Sequence, residues 1–488
     1  MTACALWQQL VPSAACVLVV VTLLFLLHHR AKTRNAASRA TDIIVVLQCN
    51  ILASNTAALV DAYDVSASVG QSVAFSGLFI GIFMAGSLLG AAFLALLQNF
   101  QPDLWRQARA TMMAALTLYV AGPILYCVPT GLIYAGKGGG ALGFLLLCSR
   151  LLQGLGAGAA SQLGLVCIAK GSGSQKSRFM VRFLFSNMLG CGLGPLLASF
   201  YHAASPCLGD FGTIQFWQLG VMQSILAFGV LIAVALLFPA LDDDLEMARE
   251  ASQDPEESAS RKRKVVVGCL VMTCLRGYLI SSLEGATALF LQQKYGWELK
   301  TIGFFVALTL LASIPAKLLQ GQLAKCLSEK WLVRLFGMAA IAGAALICLQ
   351  DGWLLLLADC LLFPCIYLAD AIGRGVMARH LLPQGWLDAN RTSCYTLFLG
   401  GMGQFAGPWV TRWYLELLPK QVLYAGSQAS VSVLFLLTFE LLVRPNMQRP
   451  EQKDATEDSV AGERSEKLDE SSSDTKTTSG GDIESDAL

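Results

Sequence analysis

Charge is scarce in this chain. Asp, Glu, Lys and Arg make up 14% of its 488 residues, where soluble globular domains carry about a quarter. That scarcity argues against a soluble enzyme. Neither sign dominates: 35 Lys and Arg stand against 34 Asp and Glu, so no basic excess points to nucleic acid. Fifteen cysteines are present, but they lie scattered in apolar runs, without C-x-x-C or Cys/His ligand spacing, and read as small hydrophobes. Histidine is rarer still. The four (His28, His29, His202, His380) fall at the edges of apolar runs, which leaves a zinc site or a buried-histidine enzyme nothing to work with. The glycine-rich stretch Gly154 to Gly158 follows a helical run rather than a strand, and AKGSGSQKS lacks the glycine that a phosphate loop needs before its lysine. No cofactor is expected.

Apolar residues fill the space. They reach 55% of the chain, with a mean hydropathy of +0.56. About 20 apolar residues cross a bilayer as a helix, and thirteen such runs can be read. A leading segment covers 9–27. Helices 1 to 12 are expected near 43–60, 71–97, 110–128, 141–169, 180–202, 216–239, 265–291, 301–320, 332–350, 352–378, 391–415 and 421–443. If helix 1 starts inside, twenty Lys and Arg fall in the inner loops and five (Lys137, Lys294, Lys300, Arg412 and Lys420) on the opposite side, the asymmetry that sets orientation during insertion. The leading segment has its basic cluster, His28-His29-Arg30, after the apolar run rather than before it. A retained helix is therefore expected rather than a cleaved signal. No amphipathic, arginine-rich leader supports delivery to mitochondria or plastids.

The domain reading follows. Residues 1–42 hold the extra segment and a basic inner stretch, 43–240 a first six-helix half, 241–264 a charged inner linker, and 265–444 a second half. Residues 445–488 form an acidic, Ser-rich tail expected to be disordered, since it has too little apolar surface to offset chain entropy. Asn390-Arg-Thr392 is a glycosylation sequon that this topology leaves on the inner side and bare.

Two halves imply a duplication. Arg178 is followed by Gly190-Cys-Gly-Leu-Gly194-Pro195, and Arg391 by Gly403-Gln-Phe-Ala-Gly407-Pro408, each pattern reading R-x11-G-x-x-x-G-P at an offset of 213. The small residues permit close helix approach, and the proline predicts a bend. Helix 4 carries Arg150-Leu-Leu-Gln-Gly154-Leu-Gly156-Ala-Gly158, and Gly321-Gln-Leu-Ala-Lys325 follows helix 8. With these motifs the chain, over about 43–443, resembles the major facilitator superfamily of secondary transporters. Helix 4 matches the family's R-x-x-x-G-x-G-x-G, helix 5 its G-x-x-x-G-P, and the loop after helix 8 its G-x-L-A-D, with Lys325 in place of the aspartate. The resemblance implies an all-α, polytopic membrane protein of two six-helix bundles with one extra N-terminal span, moving a small solute by alternating access.

An ionisable side chain in the hydrocarbon region is costly and is a functional candidate by default. Arg150 in helix 4 is read as an anion or carboxylate anchor or as the charge partner of a proton carrier, against the plainer reading of a structural hydrogen bond to helix carbonyls. Helix 7 places Arg276 and Glu284 on one face; helix 10 does the same with Asp359, Asp370 and Arg374. Glu284, Asp359 and Asp370 are the candidate proton acceptors, because a buried carboxyl is cheaper to carry protonated than charged. Asp370 with Arg374 reads equally as a static ion pair. Asn50 and Asn55 in helix 1, Gln162 in helix 4 and Asn187 in helix 5 could bind a polar solute or bridge helices. The expectation is a monomeric transporter in the lipid bilayer of a plasma membrane or endomembrane, coupled to protons or to an exchanged solute. Its rival is a receptor or scaffold of the same fold that acts through linker and tail.

Overall fold

The computed structural model describes residues 3–32, 36–101, 107–171, 176–204, 216–239, 256–382, 385–418 and 420–447. Met1–Pro445 is one compact unit. The remainder, from Asn446, is a second unit, of which only the first two residues are described. The tail from 448 and most of the expected linker lie outside the described residues.

Among the described residues there is no strand. The leading segment is α1 (Ala3–Ala31). The first half comprises α2 (Ala36–Ser68), α3 (Val73–Phe100), α4 (Ala108–Tyr134), α5 (Gly140–Gly171), α6 (Lys176–Ala204) and α7 (Phe216–Leu237). The second comprises α8 (Glu256–Gln293), α9 (Leu299–Leu311), α10 (Ser313–Leu323), α11 (Glu329–Leu346), α12 (Gly352–Arg379), α13 (Ala389–Leu417) and α14 (Gln421–Thr438), which continues as short π and 3-10 turns to Asn446. Among the described residues, eleven candidate spans are long and apolar enough to cross a membrane. Helices α6 and α13, the two with the repeated motif, are not among them. Polar and charged residues such as Asn187 and His202, or Gln404, Arg412 and Glu416, lower their hydropathy.

The expected boundaries are corrected in places. Helix 8 is one span, Leu299–Leu323, with a single turn residue, Ala312, where α9 meets α10. The end of the expected linker is helical, because α8 begins at Glu256 and carries Arg261–Lys264 in its first turns. Pro195 and Pro408 lie inside α6 and α13, which run on through them. Both sit among tightly packed neighbours, which hold the backbone helical around the missing donor.

Helix pairing displays the duplication. In the first half α2 packs on α6, α3 on α5, and α4 on α5 and α7; in the second α8 packs on α13, α9 on α12, and α11 on α12 and α14. The halves meet through α3 with α13 and α6 with α9, again equivalent pairs in the two copies. Close packing explains the glycines. A Cβ on Gly158 would lie 1.8 Å from the Ser87 carbonyl oxygen, and one on Gly154 would lie 2.0 Å from that of Phe83, so α5 can touch α3 only without side chains there. Gly156 turns the same helix toward Tyr119 and Ala115 of α4.

Candidate functional site

Below, the inner face is the one with the Lys- and Arg-rich loops, and the outer face is its opposite. Two polar walls approach the seam between the halves. On the first-half wall, Arg150 of α5 is 2% exposed. Its Nη2 donates to Asn55 Oδ1 at 2.7 Å and to the Asn55 carbonyl at 3.1 Å, and its Nη1 donates to Gln153 Oε1 at 2.7 Å. The guanidinium lies over the rings of Phe83 and Phe79, 5.0 and 5.6 Å from their centroids. It forms no ion pair with an acid among the described residues. Beside it Tyr119 donates to Asn50 Oδ1 at 2.9 Å, tying α4 to α2.

The second-half wall is charged on both sides. Asp370 of α12 accepts from Arg374 Nε at 2.8 Å and from Thr273 at 2.8 Å, while Arg276 Nε stands 3.2 Å away without hydrogen-bond alignment. The pairing of Asp370 with Arg374 thus extends across helices to Arg276, whose guanidinium also faces the Tyr367 ring at 5.3 Å. Glu284, two turns outward on α8, is 6% exposed and makes no hydrogen bond or ion pair among the described residues. Glu284 and Arg276 both lie within electrostatic reach of Cys191 on α6, which sets them at the seam. Across it Asn187 of α6 keeps an unpartnered, buried Oδ1.

Asp359 departs from this group. It shares a helix with Asp370, but it is fully buried in the outer part of the second half, where Thr287 donates to it at 2.6 Å and its other oxygen has no partner. Gln162 lies toward the inner face and donates to Cys394 Sγ of α13 at 3.3 Å, a bridge between the halves.

Among the described residues, most of the hydrogen bonds between the halves lie at the outer face. Arg412, expected as an outer-loop cation, is instead fully buried: its Nε donates to the Gly285 carbonyl at 2.8 Å and its Nη1 crosses to Ser76 of α3. Arg412 lies within α13, and its long side chain reaches across the seam to α3. Glu416 accepts from the Ala74 backbone at 2.7 Å, Gln292 donates to Asp64 at 2.8 Å, and Ser199 donates to the Lys300 carbonyl. His202, placed at an edge by its position in the sequence, pairs with buried Asp61. His380 is buried as well and bonds the Val376 carbonyl. A sequence signal for the first pair existed: Asp61 lies just beyond the expected end of helix 1, on the side where helix 5 ends.

The repeated motif belongs to this outer tie. Gly190 and Gly194 seat α6 against Cys49, Ala53 and Thr56 of α2, as Gly403 and Gly407 seat α13 against Cys274, Tyr278 and Ser282 of α8. The prolines face the other half: the Pro195 carbonyl packs on Gly303 of α9 and the Pro408 carbonyl on Gly77 of α3. Gly321 and Lys325, by contrast, are exposed, and nothing lies within 4 Å of where a Gly321 Cβ would stand.

Comparison with known proteins is consistent with this arrangement. The family model described as Major Facilitator Superfamily matches residues 43–408. No curated protein matches the sequence significantly. Similar solved structures include a D-xylose-proton symporter (TM-score 0.63, 14% identity, 83% of this chain and 97% of that one). A bacterial homolog of the human lysosomal transporter Spinster, in an inward-facing and unoccupied conformation, is also similar (TM-score 0.55, 12% identity, 85% and 94%). So is the human organic anion transporter MFSD10, or TETRAN (TM-score 0.53, 18% identity, 84% and 100%).

Proposed function

The chain belongs to the Major Facilitator Superfamily and is a membrane transporter; from that premise we propose that it moves a small, acid-bearing solute by alternating access, coupled to proton movement through Glu284. The carrying observation is the charge at the seam. Arg276 and Arg374 stand among two carboxyl groups, Asp370 and Glu284, and only Asp370 is paired with them. When Glu284 carries a proton, two guanidinium groups, those of Arg276 and Arg374, oppose one carboxylate. An anionic solute restores the balance, and its release leaves Glu284 free to discharge. Asn50, Asn55, Gln162 and Asn187 supply or support neutral hydrogen-bonding groups along the same path.

Among the solved structures of similar fold, one is named a proton symporter and another an organic anion transporter; those activities are theirs, and they make both halves of the proposal reasonable to test. A non-transporting receptor or scaffold is not favoured, because buried ionised groups are costly to keep where nothing is moved.

The experiment is a pH-dye assay in proteoliposomes, adding organic anions, sugar phosphates, amino acids, sugars and organic cations in turn. A proton flux evoked by anionic solutes and abolished by Glu284→Gln supports the proposal. A flux evoked by neutral or cationic solutes alone, or one unchanged in Glu284→Gln, overturns it.

A further inference from the structure

Helix α1 does not close onto the bundle. It leans on α7, where Val20 packs against Gly229, but α1, α4 and α7 leave a cavity of about 600 Å³ between them. Val17, Val20 and Val21 of α1, Ile124 of α4, and Ser224 and Phe228 of α7 line it. Val17, Val21, Ile124 and Phe228 are each about half exposed, so the cavity opens sideways, toward where bilayer lipid lies. Its few polar groups are already used: Ser224 donates to the Gly220 carbonyl and Cys127 to that of Pro123. Water has no partner there, and an empty space would forfeit contact along three helices. The occupant is therefore apolar and of ligand size.

Its headgroup is indicated by the inner rim. His28, two turns beyond Val20, begins an exposed basic run with His29, Arg30 and Lys32. Arg109 at the inner start of α4 is exposed as well and donates to the Ala235 carbonyl of α7. Basic side chains from two of the groove's three helices, α1 and α4, suit a phosphate diester at the depth where headgroups sit.

We propose that the α1/α4/α7 groove binds one anionic phospholipid, an acyl chain filling the cavity and the phosphate resting on the His28, His29, Arg30, Lys32 and Arg109 rim. The lipid then acts as the packing that α1 itself lacks, holding the extra helix on the first half. This is independent of the transported solute and of Glu284.

The test uses the full chain in nanodiscs and by native mass spectrometry. Wild type should keep one phosphatidylglycerol through a detergent wash that strips phosphatidylcholine, with a preference of roughly fivefold for each cation engaged. Ser224→Trp, which fills the cavity from α7, should lose the retained lipid. The quadruple variant His28→Gln, His29→Gln, Arg30→Gln, Lys32→Gln changes only exposed side chains; it should still bind lipid but lose most of the preference. Equal retention of both lipids by wild type, or a Ser224→Trp protein that folds and keeps its lipid, overturns the proposal. So does an unchanged preference in the quadruple variant.

Discussion

In the first half the buried cation Arg150 is held by neutral amide oxygens and two aromatic faces, whereas in the second half Arg276 and Arg374 share Asp370 beside an unbonded Glu284. The first arrangement contains no acid to gain or lose a proton, although Arg150 Nε and Gln153 Nε2 stay buried without a partner. The second can change its net charge by one without moving a helix. Duplicated halves have thus diverged in chemistry while keeping the same helix pairing. That division of labour can be broken from either side.

The largest effects fall on transport. Arg150→Ala should abolish both net flux and solute exchange with expression intact, and Arg150→Lys should not rescue it, since one ammonium cannot fork between Asn55 and Gln153. Glu284→Gln should separate the two readouts: proton-driven accumulation falls by on the order of 100-fold, while exchange of labelled for unlabelled solute persists. Equal loss of both in Glu284→Gln would erase the contrast between the halves.

Stability sharpens the same comparison. Asp370→Asn leaves two guanidinium groups at the seam without their carboxylate and should cost about 3 kcal/mol or more. Arg374→Gln should cost much less, since that side chain is 22% exposed and leaves Arg276 in place. Thermal unfolding in detergent measures both. At the outer face, Arg412→Ala should loosen the tie to Ser76 and Gly285 and raise the outward-open population, read as faster labelling of a cysteine introduced at Ser76. The smallest effect is a control. Gly158→Ala should destabilise by about 1–3 kcal/mol through overpacking on Ser87, whereas Gly321→Ala should change stability by less than about 0.5 kcal/mol, although both glycines belong to motifs read from the sequence.

Much of the arrangement was legible without coordinates, and for definite reasons. Helix number and order follow from apolar runs that must satisfy their backbone internally in lipid. Orientation was inferred from loop cations, and the R-x11-G-x-x-x-G-P offset anticipated the equivalent pairing of α2 with α6 and α8 with α13. The contacts that hold the backbone helical at Pro195 and Pro408 were not legible, because they come from helices distant in sequence. The burial of Arg412 and the pairing of His202 with Asp61 were hidden for a related reason. Residues near helix ends look solvent-facing until the opposite half, or a neighbouring helix, covers them.

Asp359 and Asp370 show the limit most clearly. Eleven residues apart on one helix, they share a face by periodicity, and nothing in the sequence separates them. In the structure one joins Arg276 and Arg374 at the seam and the other is enclosed beside Thr287. The sequence by itself determined that the chain spans a membrane as two repeated halves, because hydropathy, loop charge and repeat spacing act locally along the chain. Only the tertiary structure decided which buried charges meet, which remain unpaired and which end of the seam carries most of its hydrogen bonds, because those depend on the distances between helices far apart in sequence.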